Sequence, residues 1–191
     1  MKRCLILLML FASLSLSAQN WAVKTNLLSD ATASVSLGVE AGLSPRWTVD
    51  VSGSFNGWTF HDNKKWKHWL VQPELRYWLC ERFNGHFFGF HLLGGIYNLG
   101  NIDADFKWLG TDFGQLKEHR FEGWMVGAGI GYGYQWLLSR RWSLEAEIGL
   151  GYIYTRADKY ECAHCGDKKE NDEPHHYLGP TKAAVSLIYA F

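Results

Sequence analysis

Period two governs the chain from Trp21 onward. Trp21, Val23, Thr25 and Leu27 alternate with Ala22, Lys24, Asn26 and Leu28. Successive strand residues point to opposite faces, so this pattern predicts a strand with one apolar and one polar face. The same alternation predicts a second strand through Val35, Leu37, Val39, Ala41 and Leu43. A tight turn at Ser44, Pro45 and Arg46 leads to a third through Trp47, Val49, Val51, Gly53 and Phe55. Trp66 to Leu79 reads as a long fourth strand. Pro73 removes one ladder donor within it and reads as a bulge or a gap in one pairing. His86 to Asn98, Phe121 to Leu138, Trp142 to Thr155 and Tyr177 to Phe191 complete the series. No stretch favours a period of 3.6.

The faces are distributed in an unusual way. One face of each strand carries Val, Leu, Ile, Ala and Gly, with aromatics towards the ends; Trp142 and the Tyr152/Tyr154 pair bracket one such face. The other face carries the charges. Connections near Pro45, from Cys80 to Gly85 and from Ser139 to Arg141 are short, as is Ser29 to Ala31. Those from Asn56 to Lys65, Leu99 to Lys117 and Arg156 to His176 are longer. Apolar-out strands, aromatic borders and turns alternating with long loops predict an eight-stranded antiparallel up-and-down transmembrane β-barrel of the outer-membrane type. Both termini then lie on the periplasmic side. The last strand should pair with the first, placing Phe191 at the periplasmic rim. Gly127, Gly129, Gly131 and Gly133 occupy one face of the sixth strand, leaving room for large side chains from across a narrow lumen.

The first residues carry a different pattern. Lys2 and Arg3 precede an apolar run from Leu5 to Leu16, about a dozen residues long, followed by Ser15, Ser17 and Ala18. This predicts a signal peptide over 1–18, cleaved after Ser17 or Ala18, and a barrel over 19–191. The run is too short to span a bilayer as a helix, and no later run is long enough. The mean hydropathy is −0.18. Aromatic content of 16%, with 10 Trp and 20 Gly, suits a membrane barrel. Lys and Arg together number 19, as do Asp and Glu; losing Lys2 and Arg3 leaves 17 against 19. Nothing in that balance points to nucleic acid. The expected location is the cell outer membrane.

Candidate chemistry lies on the inward faces and in the loops. Lys24, Glu40, Asp50, Gln72, Glu74, Arg76, His91, Gln135, Glu145 and Glu147 face inward. A barrel of eight strands is filled by side chains, so these predict a lumen polar network with Lys24 and Arg76 as its cations. A catalytic or proton-conducting acid pair is the alternative, with Glu145 and Glu147 first because i and i+2 share a face. No nucleophile–base–orienter set accompanies them. Cys162 and Cys165 flank Ala163 and His164, with His175 and His176 further on. The spacing suits a disulfide between Cys162 and Cys165 at a loop tip, or half of a metal site using Cys162, His164, Cys165, His175 and His176. Cys80 has no apparent partner. Asp103, Asp105, Phe106, Trp108, Asp112 and Phe113 suit either a fold over the barrel mouth or contact with a cation, glycan or protein. Lys64, Lys65, Lys67 and His68 form a basic edge suited to lipopolysaccharide phosphates. No cofactor is implied.

NKKWKHWLVQPELRYW from Asn63 to Trp78 resembles a family of small outer-membrane barrels of unassigned function from Bacteroidota, the proteins of domain of unknown function 3575. So do Trp21 to Leu28, LGVE from Leu37 to Glu40 and GHFFGFHLLGG from Gly85 to Gly95. The resemblance covers much of the first half in words and the second half in pattern. It implies a structural or surface-interaction role, linked to fimbriae or adhesion through the genes that accompany such proteins. It carries no catalytic residues with it, and the Cys162 loop has no place in the family pattern. The expected partners are outer-membrane lipids and lipopolysaccharide, the barrel-assembly machinery reading Phe191 as an assembly signal, and a fimbrial or surface protein. A monomer is expected. A lipid-modifying enzyme using Glu145, Glu147 or His91, and a soluble periplasmic ligand-binding barrel, are the rival readings; the second needs apolar inward faces.

Overall fold

The computed structural model describes residues 20–58, 65–100, 107–108, 111–112, 120–160 and 168–191. Eight of its strands form one closed antiparallel barrel. They are β1 (Trp21–Asn26), β2 (Val35–Ser44), β3 (Trp47–Asn56), β4 (Lys65–Trp78), β5 (Gly85–Gly100), β8 (Arg120–Leu137), β9 (Trp142–Tyr160) and β10 (Lys168–Ala190). Each pairs with its neighbour in the chain, skipping a two-residue hairpin of β6 (Lys107–Trp108) and β7 (Thr111–Asp112). The seam closes where β1 meets β10, from Ala22 opposite Ala190 to Asn26 opposite Ser186. Closure gives both end strands a partner over the length of this seam, from Ser186 to Ala190 on the β10 side.

The alternation read from the sequence decides the faces. Ala22, Lys24, Glu40, Thr48, Asp50, Glu74, Arg76 and Trp78 are buried, while Val39, Val51 and Leu75, on the opposite parity of the same strands, are exposed on the outside. At Pro73 the β4–β5 ladder lacks the pairs of Gln72 and Pro73 and then resumes in the same register, Val71 with Gly94 and Glu74 with His91. The proline is therefore a pairing gap and not a bulge. Register shifts lie elsewhere, between Gly42 and Ser44 in β2, between Lys168 and Glu173 in β10, and between Pro180 and Lys182 in β10, the last being the one that bears on the lumen. It lets Thr181 and Lys182 both meet lumen groups: Thr181 contacts His91 and Lys182 contacts Glu74.

Three boundaries differ from the sequence expectation. The first strand stops at Asn26, and Leu27–Ala31 form a one-turn helix, α1, where strand and turn were expected. Asn26 caps it by accepting a hydrogen bond from Leu28 N. Arg156 to His176 is not one long loop: β9 continues to Tyr160 and β10 begins at Lys168, so His175 and His176 are strand residues. The expected loop from Leu99 likewise gives its first two residues to β5, which ends at Gly100, and holds the β6–β7 hairpin. These segments are polar on both faces, which hides period two while leaving backbone pairing intact.

The barrel is lopsided as a result. β8, β9 and β10 have 18, 19 and 23 residues, against 6, 10 and 10 for β1, β2 and β3. At the end where β1 begins and β10 ends, the strands finish level, joined by short connections. There Trp78 N donates to Arg46 O, Ala190 N to Arg141 O and Phe191 N to Trp21 O. At the far end the β8–β10 wall stands above the β1–β3 side.

The glycines of β8 and β9 set the width of the lumen. A Cβ on Gly131 would lie 2.7 Å from Glu147 Oε1, and one on Gly129 2.6 Å from His91 Nε2. A Cβ on Gly133 would collide with the Phe87 ring. The room is taken by Phe87 and His91 of β5 and Glu147 of β9, so the large side chains beside this ladder come from the paired neighbouring strands and not, as expected, from across the lumen.

Candidate functional site

The lumen has three tiers. Nearest the termini is an apolar plug. Trp78 and Phe87 are fully buried there, with ring centroids 4.8 Å apart. Trp78 Nε1 donates to Thr48 Oγ1 at 2.9 Å, and Thr48 Oγ1 donates to Glu40 Oε1 at 2.6 Å. The indole thus joins the plug to the tier above it.

That middle tier is a buried ionic cluster centred on Arg76. Its Nε donates to Glu74 at 2.8 Å, and Nη1 to Glu40 at 2.9 Å and to Glu145 at 2.7 Å. Nη2 donates to Glu145 at 3.2 Å and to Glu147 at 2.8 Å. The guanidinium also stacks over Phe87, its Cζ 4.5 Å from the ring centre. Arginine suits this place because its planar fork offers five donors and stays charged. Lys24 Nζ lies 3.0 Å from Glu40, 3.1 Å from Asp50 and 3.6 Å from Glu145. Lys182 Nζ bonds Glu74 and lies 3.1 Å from Glu147. His91 Nε2 shares a 2.8 Å hydrogen bond with Thr181 Oγ1.

The third tier is open space. A cavity of about 430 Å³ lies between the cluster and the far end. Its walls include Ser34, Ser36, Gly38, Ser52, Ser54, Gln72, Thr181 and Ser186, and its floor includes Asp50, Arg76, Glu145 and Glu147. The expectation of an interior filled by side chains therefore holds only for the lower tiers. The reason is volume: β2 and β3 present serine and glycine to the upper lumen, and these cannot span it.

All seven residues assigned to the lumen network, Lys24, Glu40, Asp50, Glu74, Arg76, Glu145 and Glu147, meet in this one cluster. Sequence reasoning missed its third cation, Lys182. It lies one step before the alternation of Ala183 to Phe191, on the parity of Ala184, Ser186 and Ile188, and extending that alternation by one residue would have found it. Thr48 was missed too, as an inward residue with no charge to draw notice. Gln135 is buried with no partner for Oε1.

The remaining candidates lie apart from the cluster. Cys162, His164 and Cys165 fall outside the described residues. His175 and His176 are consecutive in β10, opposite Thr155 and Tyr154, so they project to opposite faces. His176 packs between Tyr152 and Tyr154, at 5.9 Å and 5.3 Å, and its Nδ1 meets the Tyr152 hydroxyl. Among the described residues, no three His, Cys, Asp or Glu side chains are placed to hold a metal ion. Cys80 is an exposed free thiol in the turn after β4. Phe191 is exposed at the terminal rim, its ring 5.2 Å from Tyr189.

An antiparallel barrel closed by its own first and last strands, apolar without and charged within, belongs to the up-and-down class of closed β-barrels. The sequence matches the family described as "Protein of unknown function (DUF3575)" over residues 4–191, essentially the whole chain, and the protein belongs to that family. No curated protein matches the chain.

Proposed function

We propose that the protein is an exported outer-membrane barrel with a structural or surface-interaction role. The observation that carries this reading is the outer face. Ile130 is 70% exposed, Ile148 60% and Leu150 57%, in the middle of long strands and not at their tips. Soluble monomers rarely leave contiguous apolar patches above a few hundred Å² in water. Here such a face runs around a closed barrel whose charges point inward, the reverse of a soluble ligand-binding barrel. Aromatics border it: Trp47 and Phe55 on β3, Trp69 and Tyr77 on β4, Trp124 and Trp136 on β8. Trp47 to Phe55 is nine residues, the length of a tilted membrane strand of about 9–11 residues.

In this reading residues 1–18 are a signal peptide and the level end faces the periplasm. Phe191 is then the assembly signal, and the tall β8–β10 wall rises into the medium. That wall, with Arg156, Asp158 and Lys159 above the aromatic border, supports a surface-interaction role. A fimbrial or adhesive partner rests on the family resemblance. Outer-membrane lipid and lipopolysaccharide are the surrounding partners. Cell fractionation tests the proposal. The protein should sediment with the outer membrane, resist extraction by alkaline carbonate and migrate faster on gels when unboiled. Recovery in the soluble periplasmic fraction refutes it.

A further inference from the structure

We propose that the upper lumen is a binding site for a small organic cation, a primary ammonium on a hydroxyl-bearing skeleton, seated on Asp50 and Glu147. The argument starts from charge. The cluster holds the carboxylates of Glu40, Asp50, Glu74, Glu145 and Glu147 against Lys24, Arg76 and Lys182. Five less three leaves an excess of two negative charges. The hydrogen bonds show where the excess sits. Glu40, Glu74 and Glu145 each accept from cations through short, well-aligned contacts. Neither oxygen of Asp50 accepts a hydrogen bond, although Lys24 Nζ lies 3.1 Å from Oδ1; Glu147 Oε1 accepts none either. Asp50 is 0% and Glu147 6% exposed, and both contribute to the floor of the cavity. Buried carboxylate oxygens without donors are costly unless a donor arrives. Both deficient groups border the empty space, beside the fully paired Glu145 and Arg76.

The walls define the rest of the ligand. Ser34, Ser36, Ser52, Ser54, Thr181 and Gln72 line, with Trp66 and Leu70 among others, a space of about 430 Å³, within the size range of small-molecule sites. They offer hydroxyls and an amide and suit a ligand with hydroxyls of its own. A bare divalent ion fits less well. Lys24 Nζ and Lys182 Nζ each stand 3.1 Å from one of the two carboxylates and would oppose a doubly charged ion held between them. An ammonium donates along three directions and brings one charge, which matches one deficient oxygen at a time.

Calorimetric titration of the barrel folded in detergent tests this with two sugars of one skeleton, glucosamine and glucose, and with magnesium chloride. Glucosamine should bind saturably at one site, and glucose at least about tenfold more weakly, the loss expected when a charged hydrogen bond is removed. Asp50→Asn should weaken glucosamine by a similar factor. Ser54→Leu fills the cavity and leaves the ionic cluster untouched. It should weaken glucosamine while the unboiled gel mobility stays normal, so that loss of binding is separable from loss of fold. Equal binding of the two sugars, no saturable binding, or binding unchanged by both substitutions overturns the proposal. Saturable binding of magnesium alone overturns it as well, assigning the excess charge to an inorganic ion.

Discussion

Replacing Arg76 by methionine should be the most damaging single change in the lumen. Arg76 is 1% exposed and reaches four carboxylates through five hydrogen bonds of 2.7–3.2 Å. Methionine matches the length of the stem and still packs on Phe87, so the substitution isolates the guanidinium. Its removal takes the cluster from five carboxylates against three cations to five against two. Breaking one buried ion pair by deleting one partner costs about 3–5 kcal/mol. Glu145 loses its bidentate partner, and Lys24 at 3.6 Å cannot replace it, so the upper end of that range applies. Urea unfolding of the barrel in lipid vesicles, followed by unboiled gel mobility, measures the loss directly. Arg76→Met with Glu145→Gln should recover about 1–3 kcal/mol, because contacting groups in one network couple by that much. A loss below about 1 kcal/mol, or strictly additive effects of the two substitutions, would refute the view that Arg76 neutralises the cluster.

Two further tests address width and closure. Gly131→Leu should lower the yield of folded barrel and cost about 1–3 kcal/mol, because even its Cβ meets Glu147 at 2.7 Å; Gly94→Ala, with nothing within 4 Å of the added carbon, should unfold like the parent. Asn26→Ala should cost about 1–2 kcal/mol, since Asn26 Oδ1 accepts from both Leu28 N and Val185 N and so ties α1 to the β1–β10 seam. Faster hydrogen exchange at the Val185 amide than at Leu187 would mark that seam as the place affected, and unchanged exchange there would contradict it.

Much of this fold was legible because period two carries so much of it. Outward-facing and lumen-facing residues of a closed barrel must alternate, so inward parity follows once Lys24, Glu40, Asp50, Glu74, Arg76, Glu145 and Glu147 are seen to share it. What stayed hidden lies where the period carries no information. Arg156 to Tyr160 and Lys168 to His176 show no alternation of apolar with polar positions, so their sequences read as loop although their backbones are paired. The helix at Leu27–Ala31 keeps the parity of the preceding strand for two residues, and its cap rests on a single asparagine. The bulge at Thr181 follows Pro180, which already lacks a ladder donor, but a proline alone does not separate a gap from a bulge. Pro73 makes the gap and Pro180 precedes the bulge.

Parity also says which way a side chain points and nothing of whether the side chains fill the space they point into. For that the inward residues must be weighed by volume, strand by strand. Below the cluster, Phe87, packed on Trp78, faces Gly133, and bulk meets space. Above it, Ser52 and Ser54 of β3 stand beside Ser36 and Gly38 of β2, and small residue meets small residue. No large inward side chain from β1 or β10 compensates, because Asn26, Ala184 and Ser186 lie there. The cavity follows from that deficit, and so do the hydroxyls among its lining residues. A lumen emptied by leucine-to-alanine exchange would be dry and apolar, whereas one emptied by serine is lined with hydroxyls. With oxygens of Asp50 and Glu147 that accept no hydrogen bond beneath it, the space is built to hold a polar occupant and to favour a positive one.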